Sequence, residues 1–533
     1  MADLPVDASA PVHADADPPA GLLDAFWRYE RALMADDVPA LDALFADGPQ
    51  TLRGDAGGLL VGHDAIAAFR RGRGGAPQRR VAAVHVRTID SAAALVVAEL
   101  APAAGGRGQQ TQLWRRGDAG WQVAVAHVSG PVPAVDLRIW RRVGTPLLPG
   151  ERTGPLAGHR VAVKDLFAIA GHRIGAGVPA WLDAAAVEPA TASAVQALLD
   201  AGAEVTGIAR TDELAYSIAG ANPHYGTPPN ARVPGGLPGG SSSGPASAVA
   251  LGQASIGLAT DTGGSIRVPA SYQGLWGLRT THDRVARDGM LPLAPSFDTI
   301  GWLARDRAVL AACSRASAIA APAVPLPDRL VIAPRLLAAL DPPVRDAVEG
   351  WAARHGAADE VELGDVAAAQ EAFRVVQAFE AWQSDGAWLT AHPGAVSGAV
   401  AERFRVAAAI PADEAARARD DLAAHRERFE AALVGAVLVL PSTASIAPQA
   451  TVDPEEVDRV RTQTLRLTCV AGILGAPALS APLLEVQGAP LGICLVGPRD
   501  SDDALIHRAA GFRFEGTPSP SSKRFLQNGT SRD

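Results

Sequence analysis

Cysteine, aromatic residues, excess positive charge and long unbroken apolar runs are all scarce in this chain, and each scarcity removes a class of protein. Cys313, Cys469 and Cys494 are the only three cysteines in 533 residues. They are far apart and lack the close pairing of thiolate zinc sites or disulfide frameworks, so a reducing compartment, the cytoplasm, is expected. The 57 acidic residues outnumber the 48 Lys and Arg, for a formal charge of −9, and no basic stripe breaks that balance. Phosphate affinity needs clustered cations, which argues against a nucleic-acid partner. The most apolar stretches, Ala431–Leu440 and Val470–Leu484, are too short or too interrupted by Gly and Pro to cross a bilayer, so no membrane partner is expected. Residues 1–20 lack the positive start and apolar run of a secretory signal and, rich in Asp, Pro and Ala, read as a disordered tail.

What is present is the composition of a folded protein, 48% apolar and 20% charged, in a chain long enough for two compact units. In residues 21–130, Leu22, Leu23, Phe26, Trp27 and Leu33 recur at near-helical spacing and predict an amphipathic opening helix. Val81–Thr88, Ala94–Leu100, Gln110–Arg115 and Gln122–His127 then read as strands of a curved sheet. Residues 131–155 carry Pro131, Pro133, Pro146, Pro149 and Pro155, the proline density of a linker. Beyond it, apolar strands such as Arg160–Val163 alternate with Ala-rich helices such as Ala192–Ala201, an α/β pattern over residues 156–515. The stretch from Asp306 to about Glu430 is mostly helical in character, and residues 516–533 form a polar tail.

The chemistry concentrates in P-G-G-S-S-S-G at Pro238–Gly244 and T-D-T-G-G-S-I-R at Thr260–Arg267. Glycines ahead of serines let the backbone take positive φ and bring hydroxyls and N–H groups into one cavity, which suits an anion nest. In acyl transfer such a nest serves as an oxyanion hole, here from the backbone of Thr262, Gly263 and Gly264, with Ser265 at its end as nucleophile. A serine needs a base. His224 and His282 are the nearest histidines and stay open, but V-A-V-K-D at Val161–Asp165 offers Lys164 at the end of an apolar strand. Burial there would lower its pKa and leave an amine able to accept a proton.

A Gly/Ser run alone is usually a linker, and a lone lysine is usually a solvated charge; the coincidence of both loops with Lys164 outweighs them. Gly240–Gly244 also fits G-x-S-x-G, yet a nucleophile elbow needs a strand immediately before its serine, where Pro234, Pro238 and four glycines stand. His63, His85 and His127 are scattered without a matching carboxylate or second ligand pair, so no metal is expected. Trp382 and Trp388, in the helical region, are candidates for lining a substrate cleft.

Lys164, G-G-S-S-S-G at Gly239–Gly244 and T-D-T-G-G-S-I-R resemble the amidase-signature family over roughly Leu156–Phe512, including A-P-A-L-S-A-P and G-I-C-L-V-G-P near the C-terminus. The resemblance implies an α/β fold with a central mixed sheet covered by helices. It implies a Ser–cis-Ser–Lys triad in which Ser265 attacks the carbonyl carbon and Ser241, 24 positions earlier, relays protons to Lys164. Ser242, Asp261 and Arg267 would support the loops, and no cofactor would be needed. E-L-A-Y-S-I-A-G-A-N at Glu213–Asn222, H-Y-G-T-P and S-F-D-T-I-G-W resemble the plant indole-3-acetamide hydrolase subgroup, which implies a small aryl-acetamide substrate and places Tyr216 and Ser217 near it. The I-G-A-G at Ile174–Gly177 departs from that pattern and is expected to reshape the entrance. T-L-R-G at Thr51–Gly54, G-H-D-A-I-A-A-F-R and G-W-Q-V-A-V-A-H-V-S resemble the AtzH-like family, small cone-shaped α+β domains of the nuclear-transport-factor-like superfamily. That resemblance implies a homodimer or partner subunit held through the N-terminal domain. The competing readings are a subunit of an amidase or amidotransferase-like assembly, and a non-catalytic scaffold.

Overall fold

A computed structural model describes residues 10–514 except 56–57, 73–74, 77, 103–107, 130–134, 319–323 and 358, so residues 1–9 of the expected N-terminal tail and the expected C-terminal tail lie outside it. Two compact units divide the chain, Met1–Ala134 and Val135–Asp533.

The first unit is built on strands β1 (Val12–Ala14), β2 (Leu52–Asp55), β3 (Gly58–Val61), β4 (Arg79–Asp90), β5 (Ala93–Pro102), β6 (Gly108–Gly117) and β7 (Gly120–Ser129). They form one sheet in the order β1-β4-β5-β6-β7-β2-β3. The opening helix, Leu22–Met34, buries Leu22, Phe26, Tyr29 and Leu33 on one face, with the Tyr29 ring edge-on to Trp114. Glu30 is buried on the same helix and accepts from Arg79 at 3.0 Å and Gln110 at 2.7 Å, the pairing a buried carboxylate requires. One expectation fails here. Val12–Ala14, inside the presumed tail, pairs in parallel with Val84–Val86, because the edge of β4 offers unpaired backbone groups that an extended segment satisfies.

The second unit carries β8 (Trp140–Leu148), β9 (Arg160–Lys164), β10 (Glu204–Ala209), β11 (Ile256–Asp261), β12 (Trp276–Arg279), β13 (Thr299–Ala304), β14 (Arg329–Ile332), β15 (Asp359–Glu360), β16 (Ala436–Pro441), β17 (Ala478–Val486) and β18 (Ala489–Val496). They make one mixed sheet in the order β15-β14-β16-β18-β17-β12-β13-β11-β9-β10-β8. The presumed linker is therefore partly structured. Trp140–Leu148 is an edge strand, and Pro146 is tolerated there because an edge leaves some N–H positions unpaired. Central strands β9, β11 and β13 are apolar and buried, as a sheet covered on both faces demands. Helices Val366–Ala391, Gly398–Ala408, Ala412–Ala432 and Pro454–Leu474 pack together beside the sheet. Three neighbours, β10, β9 and β11, run parallel, so their carboxyl ends at Ala209, Lys164 and Asp261 open onto one place. Crevices at the carboxyl ends of parallel strands are where α/β sheets hold ligands.

Candidate active site

Lys164 is the last residue of β9 and fully buried. Its Nζ donates to Ser241 Oγ at 2.8 Å and to Thr260 Oγ1 at 2.7 Å. Burial pulls its pKa from 10.5 down to about 7, against the opposing pull of the Asp212, Asp261 and Asp298 carboxylates. None of those carboxylates hydrogen-bonds the amine, whose partners among the described residues are two hydroxyls. A lysine in that setting is half deprotonated near neutrality and can accept a proton.

Ser241 follows a cis peptide from Gly240. Its carbonyl accepts from Thr211 Oγ1 at 2.8 Å and from the Asp212 N–H at 3.3 Å. Asp212 in turn accepts from the Gly220 N–H at 2.9 Å and Ser243 Oγ at 3.1 Å. The packing forces glycine at position 240, since a Cβ there would stand 2.4 Å from Asp212 Oδ2. Ser242 bridges the two loops, its N–H donating to the Ser265 carbonyl and its Oγ to the Thr260 carbonyl, both at 3.3 Å.

Ser265 lies in the turn between β11 and the helix Arg267–Gln273. Asp261 holds that turn. Its carboxylate accepts from the Gly264 N–H at 3.0 Å and the Ile266 N–H at 3.1 Å, and from Arg267 Nη2 at 2.8 Å and Nε at 3.1 Å. Arg279 adds Nη1 contacts of 2.6 Å to the Asp261 carbonyl and 3.2 Å to its carboxylate. Burial would raise the Asp261 pKa, but the two guanidiniums overwhelm it and hold the carboxyl far below its usual range. This geometry corrects one expectation. The Gly264 N–H is engaged with Asp261, whereas those of Thr262, Gly263 and Ser265 have no acceptor among the described residues. An oxyanion placed here would be served by these three groups and not by Gly264.

A cavity of about 20 Å³ beside Ser265 is bounded by Thr262, Gly263, Tyr216, Ser217 and Arg461. Two larger cavities, of about 350 and 380 Å³, share Arg461 and Arg403, the first also sharing Tyr216 and the second Ser217. Neither Trp382 nor Trp388 borders any of the three. The reason is helical phase: Gln377 on the same helix faces the site, residue 382 is five positions on and turned roughly 140° away, and residue 388 is about 16 Å farther along the axis. Trp388 packs on Trp181 and stacks on His392 instead. Ile174–Gly177 also stays away from these cavities; Gly175 N–H donates to buried Asp165. The two histidines left open lie elsewhere, His224 on Glu213 at 2.9 Å and His282 on the Pro295 carbonyl at 2.9 Å. Sequence reasoning missed Thr260, Asp212, Arg279, Arg403 and Arg461. It also gave no role to Asp298, which accepts from Thr262 Oγ1 at 2.6 Å. Thr211-Asp212, polar residues just past an apolar strand, carried the one signal that would have found any of these.

A buried lysine joined to one serine, with a second serine in a glycine turn at the end of a parallel strand pair, is an arrangement of the kind that lysine-based serine hydrolases use. Comparison with known proteins makes the class specific. The Amidase family model matches residues 137–331 and the AtzH-like model residues 15–131. Amidase 1 of Oryza sativa subsp. japonica is 32% identical over 403 residues, 67% of this chain and 91% of the relative. A crystal structure of an amidase is 31% identical with a TM-score of 0.60, covering 66% of this chain and 83% of its own. A vestigial protein complex bearing on the origins of an s-triazine catabolic enzyme is 28% identical with a TM-score of 0.62, covering 68% and 87%. The chain belongs to the amidase family, carries an AtzH-like domain ahead of its amidase fold, and is an amidase-type hydrolase.

Proposed function

We propose that this protein cleaves the C–N bond of a small carboxamide through Ser265, Ser241 and Lys164, without a cofactor. The observation that carries this reading is the buried 2.8 Å contact from Lys164 to Ser241, beside a glycine turn holding Ser265 and unengaged N–H groups. Ser265 Oγ adds to the amide carbon while its proton passes to Ser241, whose own proton passes to Lys164. The carbonyl oxygen, now negative, takes hydrogen bonds from Thr262, Gly263 and Ser265 N–H groups. Lys164 returns a proton through Ser241 to the nitrogen, the C–N bond breaks, and ammonia or an amine leaves an acyl-enzyme. Water, deprotonated by the same relay, releases the carboxylate and restores Ser265. The test is ammonia release from indole-3-acetamide, phenylacetamide, malonamide and biuret by the wild type and Ser265→Ala. A fall of at least about 10⁴-fold in the variant is expected; equal release by both proteins would remove Ser265 as nucleophile.

We also propose assembly through the N-terminal unit, with a second copy or a partner subunit. Supporting this are the AtzH-like match and β3, an edge strand whose Leu59 and Val61 are 62% and 58% exposed. The mass of the full chain in solution, by light scattering alone and after co-purification, distinguishes these from a monomer. Three free, buried cysteines support placing the protein in the reducing cytoplasm.

A further inference from the structure

The cavity beside Ser265 and the two larger ones share one bordering side chain, Arg461, and among the described residues its charge is met only by an exposed carboxylate. Its nearest carboxylate, Asp458, stands 3.8 Å from Nη1 with 69% of its side chain exposed, and its buried Nε has no hydrogen-bond partner. Arg403, bordering the two larger cavities, spends Nη1 on the neutral carbonyl of Tyr216 at 2.8 Å. The acidic residues nearby are committed elsewhere, Glu371 to Arg374, Glu402 to Arg405 and Glu213 to His224. Burial and the proximity of Arg403 both disfavour the charged form of Arg461. Arg461, paired only with an exposed carboxylate at 3.8 Å, and Arg403, with no ion pair among the described residues, leave a positive potential in these cavities. The space next to Ser265, about 20 Å³, has room for little more than one water-sized group, so the rest of an acyl group would extend into the chambers these arginines border.

We propose that Arg461, with Arg403, binds a carboxylate on the acyl part of the substrate, so that this site takes half-amides of short dicarboxylic acids in preference to neutral or aryl amides. A guanidinium presents a planar fork that matches a carboxylate with two parallel hydrogen bonds. Product release then yields a dicarboxylate. This inference rests on the amidase reading above and adds the substrate class.

The test compares ammonia release from malonamate, succinamate and glutaramate with propionamide, butyramide and valeramide, which replace the carboxylate by a methyl group. Wild type, Arg461→Met, Arg461→Lys and Arg403→Gln are assayed as full chains, with thermal melting as the check on folding. In the wild type, kcat/KM for at least one half-amide should exceed that of its neutral counterpart by about 10- to 100-fold. That ratio should collapse toward one in Arg461→Met, chiefly through KM, and be partly restored in Arg461→Lys. A wild-type preference for neutral amides, or an equal fall for both series in Arg461→Met, overturns the proposal and leaves the amidase reading standing. Calorimetric binding of malonate, succinate and glutarate to Ser265→Ala gives a second readout that needs no turnover. Binding that disappears in Ser265→Ala/Arg461→Met supports the carboxylate site even if ammonia release proves independent of Ser265. Absence of binding by all three dicarboxylates refutes the site whatever the rates show.

Discussion

Replacing Lys164 with Met should abolish turnover and stabilise the protein at neutral pH. The amine is fully buried, and burial brings its pKa from 10.5 to about 7 despite three neighbouring carboxylates. A fall of about 3.5 is worth about 5 kcal/mol at about 1.4 kcal/mol for each power of ten. Between pH 7 and 10.5 the unfolded chain holds the proton that the native state has released. Stability therefore rises with pH across that window; the penalty is full below pH 7 and fades toward 10.5. At pH 7, with the native amine half neutral, it is about 4 kcal/mol. Against this, methionine forfeits the hydrogen bonds to Ser241 and Thr260, about 2 kcal/mol together. The variant should gain about 2 kcal/mol at pH 7, lose that advantage near pH 9 and be slightly the less stable of the two beyond it. Urea unfolding of both proteins at pH 6, 7 and 9.5 measures the difference. Ammonia release by the wild type should rise about tenfold per pH unit below 7 and level off above it, the signature of a base that works unprotonated. A rate flat from pH 5.5 to 8, or a stability difference that does not change with pH, would refute a buried, half-neutral lysine.

Asp261→Asn should unfold or severely weaken the second unit. It leaves Arg267 and Arg279, both fully buried, without their counter-charge, a loss of about 3 to 5 kcal/mol that denaturant midpoints will register. Gly240→Ala places a Cβ 2.4 Å from Asp212 Oδ2 and should displace the Ser241 loop. About 1 to 3 kcal/mol of stability should go with it, and activity should fall more than stability does, which parallel melting and ammonia assays will separate.

The parts of the site written in contiguous residues could be read before folding. Glycine and serine in G-G-S-S-S-G and T-D-T-G-G-S encode local backbone shape, and V-A-V-K encodes a buried strand ending in a lysine; the pairing of Lys164 with Ser241 was implied by the resemblance to the amidase-signature family, and the geometry puts them 2.8 Å apart. Parts that depend on strand order could not. Arg279 reaches Asp261 because β12 and β11 both flank β13, and Asp298 reaches Thr262 because the loop into β13 returns beside β11, neither of which leaves a trace in nearby sequence. Trp382 and Trp388 show the opposite error. Aromatic content suggested a cleft, but helical phase and distance along the helix decided which residues border the cavities, Gln377 beside Ser265 and Phe373 in the larger chamber next to it. The disordered reading failed at Val12–Ala14 for a similar reason, because composition describes a segment alone and β4 supplied an unpaired edge for these residues to join.

Why the lysine can serve as a base and is not half of an ion pair follows from what its neighbours are already doing. Asp261 is consumed by two arginines and three backbone N–H groups, Asp298 by Thr262 and the N–H groups of Leu293 and Ala294, and Asp212 by Gly220 and Ser243. The amine meets only the dipoles of Ser241 and Thr260, so desolvation outweighs attraction. Thr260, 5% exposed, is the residue through which that balance can be tested. Thr260→Val keeps the shape and removes a hydroxyl that favours the ammonium form. The midpoint of the pH–rate profile should move to lower pH by about half to one unit, with turnover retained above it. Thr260→Asp puts a carboxylate where the hydroxyl stood, 2.7 Å from the amine, and should move the midpoint well above 7, leaving the enzyme nearly inactive at neutral pH and recoverable by raising it. Opposite displacements in the two variants would tie the rate to the charge state of Lys164. An unchanged midpoint in both would mean that another group sets the pH dependence, and the proton relay through Ser241 would have to be redrawn.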